Sequence, residues 1–221
     1  MKIVKQYIIY ILGIVILSFG LALNVKSYLG VAPILTMPLS VSEMMNWNFA
    51  FTLFLFYILF ILLQVPLKGK NFKVFDFMQF PISLVISKLL DIFTGWIWIT
   101  EEDSILIRLI VLGLAIVLTG IGVAMSVAMK KAPNPADGLA QAIGERFRFG
   151  LGTGKNILDL LSIGIAFIIS MVYFHYPIGI GIGTVAAGLL VGRVIAVFNR
   201  MCKKRLDDMT GISDSRTTIS H

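Results

Sequence analysis

The chain is short of the groups on which most protein chemistry is built. It holds one cysteine, Cys202, and two histidines, His175 and His221. A lone cysteine excludes an internal disulfide, and so few soft ligands make no metal cluster of the usual N/S type. Charge is scarce as well: 14% of the residues are Asp, Glu, Lys or Arg, against about 25% in a soluble domain. That little charge cannot cover a globule in water, which excludes a soluble fold. The stretch "GLGTGKN" invites comparison with a phosphate loop. That motif would need glycine at Phe149, a hydroxyl at Asn156 and a preceding strand, none of which is there. Nucleotide hydrolysis is therefore rejected, and nothing points to a Ser/His/Asp nucleophile. The chain is read as a non-enzyme without cofactor or metal.

What is present is hydrocarbon. Apolar residues make up 57% of the 221, and the mean hydropathy is +0.91. Apolar windows long enough for a bilayer core of about 30 Å fall at about Tyr7–Val25, Phe49–Leu67, Phe77–Ile99, Ile105–Met129, Asn156–Phe174 and Ile178–Asn199. The first has no A-x-A site after it and is too long for a signal h-region, so it reads as an uncleaved span. Two further stretches are too short to cross: Val31–Met45, interrupted by Pro33 and Pro38, and Pro135–Phe147. The fold class expected is all-α, a single membrane domain over 1–205 followed by a polar cytoplasmic tail, 206–221.

Cations orient the spans. With the N-terminus inside, the inner segments carry Lys2 and Lys5; Lys68, Lys70 and Lys73; Lys130, Lys131, Arg146, Arg148 and Lys155; then Arg200, Lys203, Lys204 and Arg205. The outer ones hold Lys26, Arg108 and the acidic run Glu101, Glu102 and Asp103. Both termini are expected in the cytoplasm. The net charge of +7 then faces an anionic lipid leaflet, and no nucleic acid is needed to explain it.

The halves also echo each other. At a shift of 100 residues, Leu12-Gly13 falls on Leu112-Gly113, Gly20 on Gly120 and Ala32-Pro33 on Ala132-Pro133. Each half reads as a long helix, an "AP" break, a short helix and two spans, about 7–99 and 105–199. Three spans per half make the halves enter from opposite faces, the inverted repeat of many secondary transporters. In "NPAD", Asn134 suits an N-cap, Pro135 the first helical position and Asp137 a first-turn acceptor of free N–H groups. In "SVSE", Ser40 is expected as cap and Glu43 three residues on. Either break presents a helix N-terminus able to hold an anion, unless the short helices merely lie flat as lids.

Ionisable residues within spans are costly in lipid and default to the bundle interior. Lys88 and Asp91 lie at i, i+3, and Lys155 can reach Asp159 at i+4. Arg193 lies near the inner face. Thr184, Gly188 and Gly192, like Gly120, Ala124 and Ala128, form small-residue stripes that let helices approach.

The segments "GLALNVKSYLGVAP" (Gly20–Pro33) and "GIGIGTVAAGLLVGRVIAVF" (Gly179–Phe198), with Asp159 between them, resemble the bacterial YczE/YyaS/YitT-type membrane proteins, up to about Arg205. The resemblance implies a bacterial plasma-membrane location and supplies neither substrate nor catalytic residues. The function expected is a small secondary transporter, with an anionic small molecule favoured. Its candidate site lies between the breaks and comprises Pro33, Thr36, Lys88, Asp91, Asn134, Asp137 and Arg193, with Asp159 as coupling carboxylate. A substrate-binding subunit that needs an energising partner, and a non-transporting scaffold, remain open, as does a homo-oligomer.

Overall fold

The computed structural model describes residues 2–211. The elements are α1 (Lys2–Lys26), α2 (Pro33–Met45), α3 (Phe49–Lys68), two 3₁₀ turns at Gly69–Asn71 and Val74–Met78, α4 (Gln79–Trp96), α5 (Ile105–Ala128), α6 (Pro135–Arg146), α7 (Gly150–Tyr173) and α8 (Ile182–Thr210). Six helices are long and apolar enough to cross a membrane. Their outer faces carry large exposed apolar side chains, such as Ile8, Leu62, Ile110, Leu160 and Leu189. In water that would be a liability, and in lipid it is the natural surface. The molecule is an all-helical, multi-pass membrane protein.

The most extensive helix contact is between α1 and α5. Gly13, Gly20 and Gly122 bring the two backbones together: a Cβ on Gly13 would stand 2.9 Å from the Ser126 nitrogen, and one on Gly20 2.6 Å from the Thr119 nitrogen. Close backbone approach of this kind supplies packing where apolar burial gains nothing against lipid. Around this pair, α1 packs on α4 and α5 on α8, while α2 packs on α7 and α6 on α3. Each short helix thus lies against the second long helix of the other half. The Thr184 and Gly120 stripes divide their labour. Gly120 meets Val194 and Val191, Gly188 faces Pro33, and Gly192 has no neighbour within 4 Å.

Several expectations need correction. Pro38 does not interrupt α2, which starts at Pro33 in its first turn and runs through Pro38 to Met45. Ser40 is therefore mid-helix rather than a cap. It is fully buried and shares a hydrogen bond of 3.1 Å with Ser170 on α7. Glu43 likewise sits near the end of the helix. Proline at the first helical position costs no hydrogen bond, so the helix begins at the earlier signal. The last helix extends to Thr210, into the expected tail. Gln6 donates to the Thr210 carbonyl at 3.0 Å, so the start of α1 and the end of α8 lie on one face of the bundle. Residues 212–221 of the expected tail lie outside the described residues.

Candidate functional site

Side chains of α1 hold the starts of both short helices. The Tyr10 hydroxyl donates to the Ala132 carbonyl at 2.7 Å, and the Asn24 side-chain oxygen accepts from the Ala32 N–H. The two anchors are fourteen residues apart, about 21 Å along a helix, and nearly on the same side of it. Between the α2 and α6 starts lies a cavity of about 260 Å³.

Most of its wall is apolar, from Leu17 and Leu21 on α1, Val123 and Val127 on α5, and Val191 and Ile195 on α8. One part is not. Asn134, Asp137, Lys155, Asp159 and Tyr57 all line the cavity. Asn134 caps α6 by accepting from the Ala136 N–H at 2.8 Å, and its amide donates to Asp137 Oδ2 at 2.8 Å. Asp137 thus takes its hydrogen bond from the cap residue rather than from first-turn N–H groups. Burial raises its carboxyl above the ordinary carboxylate range, an effect that the nearby Lys155 ammonium partly opposes. On α7, Lys155 Nζ lies 3.6 Å from Asp159 Oδ2, and Asp159 is buried. Tyr57 is 1% exposed, and among the described residues its hydroxyl has no hydrogen-bond partner.

Of the residues singled out from sequence, Pro33, Asn134, Asp137 and Asp159 come together on this cavity. Thr36 is fully buried nearby and satisfied by the Pro33 carbonyl at 2.6 Å. Lys88 and Asp91 are elsewhere. They line a groove of about 310 Å³ between α3 and α4, where Asn48 donates to Asp91 at 3.1 Å. Lys88 is exposed, contrary to the rule that placed it inside. Arg193 is also exposed and borders a separate surface groove between α5 and α8 with Cys202. The cationic cavity expected from Lys88 and Arg193 is not what the helices assemble: the ionisable lining is two carboxylates and one lysine.

Two features were missed in the sequence. Gln64 and Gln79, both fully buried, exchange amide hydrogen bonds at 3.0 and 2.9 Å, and Gln64 also donates to the Pro135 carbonyl at 3.3 Å. This clasp ties α3 and α4 to the start of α6. A glutamine in an apolar run was the available signal, but its partner fifteen residues on was not. The second feature joins the two quoted motifs. Leu29-Gly30-Val31 lies against Gly179–Gly183, with Val31 N–H donating to Gly179 at 2.8 Å and Gly183 N–H to Leu29 at 2.7 Å. Gly30 has φ +104°, and a Cβ there would meet Gly181 and Thr184 at 2.6 and 2.7 Å. Only glycine fits that conformation and that approach.

A bundle of six spanning helices, with two short helices whose starts face a partly polar cavity, defines the class. Within that class the chain belongs to the family described as "Family of unknown function (DUF6198)", whose model matches residues 4–200. It is also 26% identical over 202 residues to the Uncharacterized protein YyaS of Bacillus subtilis (strain 168), covering 87% of this chain and 92% of that protein. No solved structure matches. The YyaS-type resemblance of the "LGVAP" and "GIGT" segments therefore holds at the level of the family, and in the fold those two segments touch.

Proposed function

We propose that the protein is a small secondary transporter of the bacterial plasma membrane whose substrate site is the cavity between the α2 and α6 starts. Its substrate class is a small organic cation, an amine with an apolar body. The observation that carries this is the cavity's lining. Apolar walls enclose Asp137, Lys155 and Asp159, two carboxyl groups to one ammonium, beside Tyr57. A carboxylate excess in a low-dielectric site favours a cation. Lys88 and Arg193 border other grooves, and the one lysine on this cavity, Lys155, is held by Asp159 at 3.6 Å. The volume, below the usual range of about 300–1,000 Å³ for ligand pockets, suits a small molecule.

An inverted repeat of α1–α4 and α5–α8 supports transport. Exchanging the halves maps α1·α4 onto α5·α8 and α2·α7 onto α6·α3, and leaves the α1·α5 pair in place. Two halves rocking about the α1–α5 pair would open the cavity first past the Gly30–Gly181 clasp and then past the Gln64–Gln79 clasp. Both α7 and α8 line the cavity, yet they barely touch each other. That seam is a path by which a partly apolar molecule reaches the cavity from lipid. The termini face, with most of the lysines and arginines, is cytoplasmic under this reading.

The test is a thermal-shift screen of the purified protein against small amines, carboxylates and sugars, followed by liposome flux of any hit under an imposed pH gradient. Alkyl or aryl amines are expected to stabilise the protein, and Asp159→Asn to remove the effect. Stabilisation by carboxylates alone would sink the cation reading. Uptake that requires ATP and a co-purifying ATPase would instead make the chain a binding subunit. For orientation, single cysteines at Val74 and Tyr176 in a Cys202→Ser background should label from inside and outside respectively.

A further inference from the structure

The groove between α3 and α4 has chemistry that a lipid-facing surface does not usually carry. Lys88 is exposed on α4 and makes no ion pair among the described residues, although Asp91 lies at i+3 on the same side. Asp91 takes one hydrogen bond, from Asn48, the residue that caps α3. Asp91 therefore lies level with the outer start of α3, and Lys88 lies three residues, about 4.5 Å, deeper into the membrane. Around them the exposed side chains are Phe51, Phe80, Leu84 and Val85.

Ser87 completes the picture. It is 3% exposed, lines the groove, and its hydroxyl has no hydrogen-bond partner. Several other hydroxyls on the spanning helices bond to their own helix: Ser18 to the Ile14 carbonyl at 2.9 Å, Ser162 to Leu158 at 2.8 Å and Thr94 to Leu90 at 2.8 Å. A free ammonium and a half-used carboxylate thus share one outward face, with the buried Ser87 hydroxyl beneath them. In lipid each is costly until something polar meets it.

We propose that this face is a homodimer interface, in which Lys88 of one copy pairs with Asp91 of a second copy and the reverse. A two-fold interface uses the same patch on both subunits, so it must be self-complementary. A face with one cation and one carboxylate at nearly the same depth meets that condition. Two copies inserted the same way are related by an axis along the membrane normal, which puts like residues at equal depth. The 4.5 Å offset between Lys88 and Asp91 is then spanned by the flexible lysine stem. This inference does not depend on transport.

Two differently tagged versions are expressed alone and together, purified in mild detergent and reconstituted into vesicles. Dimer fraction is read by single-molecule photobleaching and co-purification, and folding by thermal unfolding. The wild type is expected to dimerise. K88D presents two acids and D91K two cations, so each alone should lose dimer affinity by about tenfold or more while unfolding near the wild-type temperature. Mixed together, the K88D and D91K chains should form heterodimers, a rescue that pairing within one chain cannot give. Overturning results are a monomeric wild type in vesicles, K88D that still dimerises, or folded single variants that fail to pair when mixed. A monomeric wild type that retains anionic lipid, lost in K88A, would assign the groove to a headgroup instead. Should either reversal not fold, K88Q and D91N replace it, and an unchanged dimer fraction in both counts against the interface.

Discussion

Lys155 and Asp159 on α7 and Lys88 and Asp91 on α4 are nearly the same motif, a cation and a carboxylate about one turn apart on a spanning helix. The first pair faces inward. It closes to 3.6 Å and shares a cavity with Asp137, Asn134 and Tyr57. The second faces outward and stays open, its carboxylate taken by Asn48. Spacing brings two side chains onto one face of a helix, but it does not say what that face meets. On α7 the face meets α6 from its own half, and on α4 it meets the membrane. The same local chemistry becomes a site in one place and a sticky surface in the other.

The comparison can be broken hardest by removing the lysines. Lys155→Ala leaves Asp137 and Asp159 facing each other across a low-dielectric cavity without a counter-charge. Removing one partner of a fully buried pair costs roughly 3–5 kcal/mol. The Lys155 side chain is 36% exposed, so the expected loss is smaller, about 2 kcal/mol after solvent screening, read by thermal or denaturant unfolding. The further change Asp159→Asn should recover part of it, because the residues form one cluster. A Lys155→Ala protein as stable as wild type would show that the cluster is wetter than its packing suggests.

Ligand binding comes next in size. Asp137→Asn is expected to weaken binding of a stabilising amine about tenfold, close to 1.4 kcal/mol, and Asp91→Asn to leave it unchanged. Equal effects at both sites would erase the distinction between cavity and groove.

A pH series sharpens the same point with a smaller effect. Burial raises the Asp137 carboxyl, so the folded protein holds that proton more tightly than the unfolded chain does. Its contribution to stability is fully present below the ordinary carboxylate pKa and falls as pH rises through the raised value. Asp137→Asn should flatten that slope. Amine binding runs the other way and tightens as Asp137 ionises, with Lys155, Asp159 and Tyr57 as the other titratable groups facing it. Flux driven by a proton gradient in the opposite direction would then follow from competition for one carboxylate. The smallest effect is at the exposed lysine: Lys88→Ala should change monomer stability by less than about 0.5 kcal/mol and leave amine binding untouched.

Much of the frame was legible from residues alone, because lipid imposes a strong pattern. Six apolar windows of sufficient length became six helices, most ends shifted by a few residues, while the last helix runs past its expected end at Asn199 to Thr210. Asn134-Pro135 fixed the start of α6 by cap chemistry that works within one turn. Ser40 failed as a cap because Pro33, already suited to a first turn, lay upstream. Interior placement of Lys88 failed because the rule that buries intramembrane charge is a statement about cost. It does not say which neighbour relieves that cost, and a second copy can serve as well as the chain itself. Gln64 and Gln79 were invisible as a pair, since a hydrogen bond between helices leaves no trace in the spacing of either.

The sequence by itself determined the solvent, the number of crossings, the positions of the short helices and the asymmetry of charge between the two faces. Each of these depends on local composition or on a few adjacent residues, and so survives without coordinates. Only the tertiary structure decided that the α2 and α6 starts share a cavity, that its ionisable lining includes Asp137, Lys155 and Asp159 rather than Lys88 and Arg193, and that "LGVAP" and "GIGT" touch through Gly30 and Gly181. Those are properties of helix rotation and of contacts across more than a hundred residues. Packing sets a helix's rotation about its own axis, and no short-range pattern encodes it.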